Sequence, residues 1–189
     1  MKFGFYIPSH GPMARRGPLI EIAQAGEDQR YDSVVVGDHI MAPKVMRSAY
    51  PYSVGSEVPW DESGEHLEQL TELTFLAAVT NRIRLVSSVM IVPYRNPLLA
   101  AKILATLDVL SEGRLIVGVG VGWLEEEFEA LDTPPFADRG AVTDEYLEAF
   151  KELWTSDDPT YDGQYVKLSN LEFTPKPVQK PHPPIWVGG

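Results

Sequence analysis

The sequence contains no cysteine, which excludes a disulfide framework, a thiolate nucleophile and a zinc ribbon. Basic residues are few: 16 Lys and Arg stand against 27 Asp and Glu, a formal charge of -11. A surface of that sign repels phosphate backbones, so no nucleic-acid partner is expected. Long apolar runs are missing too. The longest, residues 34–36 and 115–121, fall far short of a bilayer span. The residues after Met1 and Lys2 read as a short strand and not as the apolar core of a signal peptide. The expectation is a soluble, cytoplasmic protein with no membrane partner. There is no G-x-S-x-G elbow and no GK[ST] phosphate loop. His10, His66 and His182 are scattered without ligand spacing, so no metal site is expected.

The composition is otherwise that of an ordinary globular chain, long enough at 189 residues to bury one core over 1–189 without staples. The run 3–7, stopped by Pro8, predicts a buried strand. Pro18 opens a stretch with Leu19, Ile20, Ile22, Ala23 and Ala25 on one helical stripe. Three consecutive valines, Val34 to Val36, suit a strand covered on both faces. Between 38 and 64 the pattern dissolves, and a loop of that length is usually functional or mobile. Helical spacing returns over 67–81, a strand is predicted over 83–92, and a helix over 98–110. Asn96 and Pro97 punctuate the start of that helix and Gly113 follows its end. A strand over 115–119, a helix through Val142, Tyr146, Phe150 and Leu153, and a hairpin around Asp162-Gly163 come next. A stiff, extended proline-rich connector over 175–184 leads to a last strand at 185–187.

Strands alternating with helices predict a parallel sheet in an α/β fold, of about five strands. Two architectures fit, a doubly wound open sheet and the front part of a (β/α)8 barrel, since a complete barrel takes about 250 residues. Either one places functional residues at the strands' C-terminal ends.

Several residues stand there. Asp38-His39 follows the valine strand; histidine titrates near neutrality and can move a proton, although Asp38 could equally cap a turn while His39 packs. Ser87-Ser88-Val89-Met90 offers hydroxyls and a thioether to a ligand, against the plainer reading of buried serines bonded to backbone. Gly118, Gly120 and Gly122 alternate and admit close approach. They do not form a dinucleotide fingerprint, because Trp123 stands where its third glycine would be. Glu125, Glu126 and Glu127 read first as charges complementing a helix N-terminus. Arg15-Arg16 and Lys44 with Arg47 read as solvated loop charges before they read as holders of an anionic tail.

Six blocks in order resemble the bacterial luciferase-like superfamily. They are Gly37-Asp38-His39, residues 80–85 (TNRIRL), Arg95-Asn96-Pro97, residues 106–115 (TLDVLSEGRL), residues 118–123 (GVGVGW) and residues 183–189 (PPIWVGG). Within it, Tyr50-Pro51-Tyr52-Ser53 and the Gly122-Trp123 context resemble the coenzyme F420-dependent oxidoreductases. The resemblance implies a (β/α)8 TIM barrel, C-terminally incomplete here, often as a homodimer. It implies hydride transfer between a deazaflavin and a small organic substrate. His39 would exchange a proton at the reactive face, and Asp38 would hydrogen-bond the cofactor. A non-proline cis peptide at Ser88-Val89 would form a bulge behind the ring. Gly120, Val121, Gly122 and Trp123 would form another side of the pocket, with Tyr50, Tyr52 and Trp60 on the covering loop. Of the glutamates only Glu126 is carried as a catalytic candidate. An FMN-dependent monooxygenase of the same superfamily is the first alternative. The second is a catalytically silent barrel portion acting as an oligomerisation module, prone to self-association through open strand edges.

Overall fold

A computed structural model describes residues 1–51 and 65–188; Tyr52, Ser53 and Trp60 lie outside the described residues. The chain begins β1 (Gly4–Tyr6), α1 (Arg16–Asp28), β2 (Ser33–Val36), α2 (Gln69–Val79), β3 (Arg84–Ser87) and β4 (Met90–Ile91). It continues α3 (Pro97–Leu110), β5 (Leu115–Gly120), α4 (Glu125–Ala130), α5 (Arg139–Thr155), the hairpin β6 (Tyr161–Asp162) and β7 (Lys167–Leu168), and β8 (Ile185–Val187).

Five staves stand side by side in chain order, all parallel. β1 pairs β2, β2 pairs β3, β3 and β4 together pair β5, and β5 pairs β8. That order, with helices between strands on the outer side, is the barrel arrangement and not the doubly wound one. β5 is buried along its whole length, which is why its sequence shows no alternation.

The helices pack as their spacing predicts. In α3 Ala100, Ala101, Leu104, Ala105 and Leu107 are buried, the stripe that a 3.6-residue period aligns. The Asn96 side chain accepts from the Leu98 and Leu99 N–H groups at 3.1 and 3.2 Å, satisfying donors that the first turn leaves orphaned. Trp154 of α5 donates to the Ala101 carbonyl at 3.0 Å and locks the two helices together.

Two expectations are corrected. The strand over 83–92 is interrupted: Val86 pairs Ile116, but Met90 pairs Val119. One extra residue therefore sits on the β3–β4 side, a β-bulge, and its Ser88–Val89 peptide is cis. The 175–184 segment is not a plain extended spacer. It carries cis bonds at Pro175 and Pro181 and is pinned by Gln179, which bonds both Asp108 carboxylate oxygens and the Leu115 carbonyl.

Two of the six sequence blocks turn out to be braces at the N-terminal ends of the staves. The Glu27 carboxylate accepts from the N–H groups of Asn81, Arg82 and Ile83. Arg114 donates to Thr80, Ile83 and Ala77. These residues hold the barrel's floor and lie away from the chemistry.

Candidate functional site

The C-terminal ends of the staves surround one cavity of about 330 Å³. Tyr6 ends β1, Asp38 and His39 follow β2, Ser88 and Val89 form the bulge, and Gly120 ends β5 with Val121, Gly122 and Trp123 behind it. All of these residues line the cavity, with Tyr50, Ile91, Tyr94 and Gly188. Asp38, His39, Ser88, Val89, Gly120, Val121, Gly122 and Trp123, all singled out from sequence, are thus brought together with Tyr50, and Glu126 is not among the lining residues.

The floor depends on glycine. Val89 lies in the bulge with Cγ2 2.5 Å from where a Cβ on Gly120 would stand and Cγ1 2.7 Å from one on Gly188. Any side chain at either position would displace it. Gly122 has φ +83, a conformation that favours glycine, and turns the chain from β5 toward Trp123. Trp123 meets His39 edge-on at 6.2 Å between ring centroids and Tyr50 at 5.1 Å.

His39 is held by a buried acid. Its Nδ1 lies 3.0 Å from Glu127 Oε2, and the Glu127 side chain is fully buried. The same carboxylate accepts from the N–H groups of Ile40 and Met41 at 2.6 and 3.2 Å, and from the Tyr94 hydroxyl at 2.7 Å. Burial alone would raise its pKa; the bonds from His39, Ile40 and Tyr94 outweigh that and leave it below the ordinary carboxylate value. An ionised carboxylate at Nδ1 fixes the ring's orientation. It leaves Nε2 as the ring nitrogen on the opposite edge.

Glu126 does different work. It accepts from the Arg47 and Ser48 N–H groups and from the Ser48 hydroxyl, so it anchors the start of the long loop. Burial opposes ionisation there, but the Ser48 and Arg47 bonds hold its pKa down to about 2. Both acids stand in the first turn of α4, where their charge suits the helix end, and their carboxylates also reach back to residues 39–48. The helical phase carried this information. Leu124, Glu127 and Phe128 are all buried on one stripe, and Glu127 is the glutamate of the run that falls on it.

The sign of the Glu126 shift sets a prediction. Its folded pKa lies below the unfolded one, so its contribution is full above the ordinary glutamate pKa and is lost as pH falls toward about 2. Urea unfolding of the parent chain and of Glu126→Gln should differ most near neutrality. The gap should close as pH falls through that window; a gap independent of pH would show that the carboxylate's charge is not what anchors the loop.

Asp38 is engaged within the protein. Arg95 grips both its oxygens at 2.7 and 2.8 Å, and the Ile91 N–H donates to Oδ2 at 2.8 Å. Arg95 also reaches Glu68 at 2.6 Å. Asp38 lines the cavity but its lone pairs are largely committed to joining β2 to the bulge. Ser87 donates to the Gly118 carbonyl at 2.9 Å, the plainer reading of a buried serine. Arg15 pairs with Glu65 and Arg47 with Glu129, each at 2.5 Å. One grouping escaped the sequence. His10 and His66 stack at 5.1 Å, and His66 meets His39 at 5.7 Å. Among the described residues no cluster fit to hold a metal is found, and no helix is long and apolar enough to cross a membrane.

Comparison with known proteins fits this architecture. The chain is 32% identical over 194 residues to the FMNH(2)-dependent dimethylsulfone monooxygenase of Pseudomonas putida, covering 100% of this chain and 51% of that one. It is 31% identical over 175 residues to the F420-dependent glucose-6-phosphate dehydrogenase of Amycolatopsis mediterranei, covering 90% and 47%. Among solved structures, the monooxygenase RslO1 from Streptomyces bottropensis superposes with a TM-score of 0.79 at 28% identity, over 99% of this chain and 53% of that one. The chain spans about half the length of the curated relatives it matches. The luciferase-like monooxygenase family model matches residues 1–189, and the chain belongs to that family of oxidoreductases, whose members include both F420-dependent and FMN-dependent enzymes.

Proposed function

We propose that this chain supplies the His39 side of the active site of an oxidoreductase that transfers hydride between the deazaflavin coenzyme F420 and a small organic substrate. The observation that carries this reading is the His39–Glu127 pair on the wall of a cavity floored by Val89. Hydride transfer to or from a carbonyl or alcohol needs a proton partner, and an imidazole backed by a buried carboxylate is such a group.

The residues present suit the ring of the coenzyme. Val89, Ile91, Gly120 and Val121 give an apolar surface, and Ser88, Tyr50 and His39 give a few polar groups beside it, the usual pattern of a cofactor pocket. No lysine or arginine is among the described lining residues, so the cavity fits the uncharged tricycle better than a phosphate tail. When bound, a deazaflavin supplies a two-electron hydride donor or acceptor with little reactivity toward oxygen. The chain's own contribution is local. His39 holds or accepts the proton at Nε2, Glu127 keeps the ring oriented, and Tyr50 and Trp123 keep water from that edge. Ser88 and Val89 position the ring from behind.

A second reading is an FMN-dependent monooxygenase. The similarity to the dimethylsulfone enzyme runs over the whole chain, slightly further than that to the F420-dependent one. Titrating the chain with oxidised deazaflavin, and separately with FMN, while following fluorescence discriminates the two. Tight binding of the deazaflavin alone is the expected result. Preference for FMN would move the assignment to the monooxygenase.

A further inference from the structure

Among the described residues the Glu127 carboxylate has four hydrogen-bond partners, and they do not come from one place. Oε1 accepts from the Ile40 and Met41 N–H groups, and Oε2 meets His39 Nδ1 and the Tyr94 hydroxyl. A carboxylate has about four lone-pair positions, so this set fills it. Three of the partners belong to one segment, residues 39–41. With those alone, His39 and its acid would be tied to each other and would shift together over the cavity floor. The fourth comes from elsewhere. Tyr94 closes the 3₁₀ turn Val92–Tyr94, which runs straight on from β4.

Tyr94 is itself held firmly. It is 6% exposed, and its ring meets Phe128 edge-on at 5.1 Å between centroids. Ile91, Tyr94 and Phe128 make a small apolar cluster separate from the main core, and Val89 and Ile40 pack against it. The cluster thus joins the residue that floors the cavity to the neighbour of His39. Arg95, next in the chain, grips Asp38. The Asp38 bonds act on the backbone just before His39, whereas the Tyr94 bond acts on the acid that orients the ring. We infer that Tyr94 is a positioning residue for His39, its hydroxyl setting, through Glu127 Oε2, where the imidazole stands relative to the Val89 floor.

A phenol suits this work. Facing an ionised carboxylate it donates, and at 2.7 Å the bond is of the short, charge-assisted kind. The same carboxylate has no hydrogen to give, so the hydrogen between the pair sits on His39 Nδ1. A misplacement of about 1 Å between reacting groups can cost about 10²-fold in rate, so this tie matters to turnover. That consequence rests on the hydride transfer proposed above; the positioning itself does not depend on which coenzyme binds.

Tyr94→Phe removes the hydroxyl and keeps the ring against Phe128, and proton spectra of the chain alone then test the positioning. The parent should show a low-field Nδ1–H signal from His39, identified by its loss in His39→Ala. In Tyr94→Phe that hydrogen should exchange with water about tenfold faster or more, the effect of losing one hydrogen bond to a charged group. The buried Trp154 indole N–H, bonded to the Ala101 carbonyl at 3.0 Å, should keep its rate. Tyr161→Phe removes a like bond, to Glu148 of α5, and should leave both signals as they are. Unchanged His39 exchange in Tyr94→Phe would overturn the proposal, as would equal acceleration at Trp154, the mark of general loosening. So would a parent without the low-field signal, since its Nδ1–H would then not be held. With active protein, Tyr94→Phe should lower kcat by about 10–10²-fold with coenzyme affinity kept. An unchanged kcat, or a loss confined to affinity, would overturn the role in turnover. Absence of turnover of the parent with either coenzyme would count against the hydride-transfer reading, and the exchange result would still decide the positioning.

Discussion

Replacing His39 with alanine is expected to lower turnover by about 10²–10⁴-fold, the range spanned by a positioned general acid or base. The loss should fall on kcat, with affinity for the coenzyme largely kept, because the Val89 floor and the Gly120–Gly122 turn do not depend on the imidazole. Glu127→Gln separates the two parts of the pair. The amide keeps the side chain's shape, but it offers one acceptor oxygen where the carboxylate offers two. Of the two oxygens, one serving Ile40 and Met41 and the other Tyr94 and His39, one is replaced by a donor. Turnover should fall, since the ring loses the carboxylate that fixes its orientation at Nδ1. Turnover equal to the parent's would show that Glu127 does not orient the ring for proton exchange.

Arg95→Ala should cost more stability than any other single change around the cavity, about 3–5 kcal/mol. The Asp38 side chain is fully buried and that of Arg95 is 11% exposed, so truncating the arginine strands a negative charge with the Ile91 N–H as its remaining partner. Against a total stability of about 5–15 kcal/mol for a protein of this kind, that is a large fraction, and urea midpoints will report it. The double change Asp38→Asn with Arg95→Met should recover much of the loss, because it removes both charges together. A single Arg95→Ala costing under about 1 kcal/mol would mean that the pair behaves as a solvated surface bridge.

The parts of this fold that were legible in the sequence are those decided locally. Asn96 and Pro97 mark the start of α3 because capping chemistry acts within a few residues. The valine run of β2 announces a strand because β-branched side chains suit a doubly covered sheet. The break between β3 and β4 is different in kind. Ser88, Val89 and Met90 continue the strand's hydropathy without a breaker, and what accommodates the bulge is Gly120 and Gly188 on other elements. The resemblance to a family supplied the cis bond there; no local pattern did. Asp38 likewise gave no sign of its partner, since Arg95 lies 57 positions away. Glu127 was within reach. A three-glutamate run cannot face one way on a helix that turns 100° per residue, and the stripe through Leu124 and Phe128 selects the third.

The histidines provide the most direct test of where the coenzyme ring sits. The chain has four of them, and His39 can be assigned by its loss in His39→Ala. Nitrogen-15 histidine spectra recorded with and without saturating oxidised deazaflavin should show the His39 ring resonances move. His182 precedes β8, and its Nδ1 lies 2.8 Å from the Pro183 carbonyl, at the other end of the strand from the cavity, so its signals should stay in place. Binding that leaves His39 unperturbed, or that perturbs His182 instead, would place the ring elsewhere and contradict the assignment of this cavity.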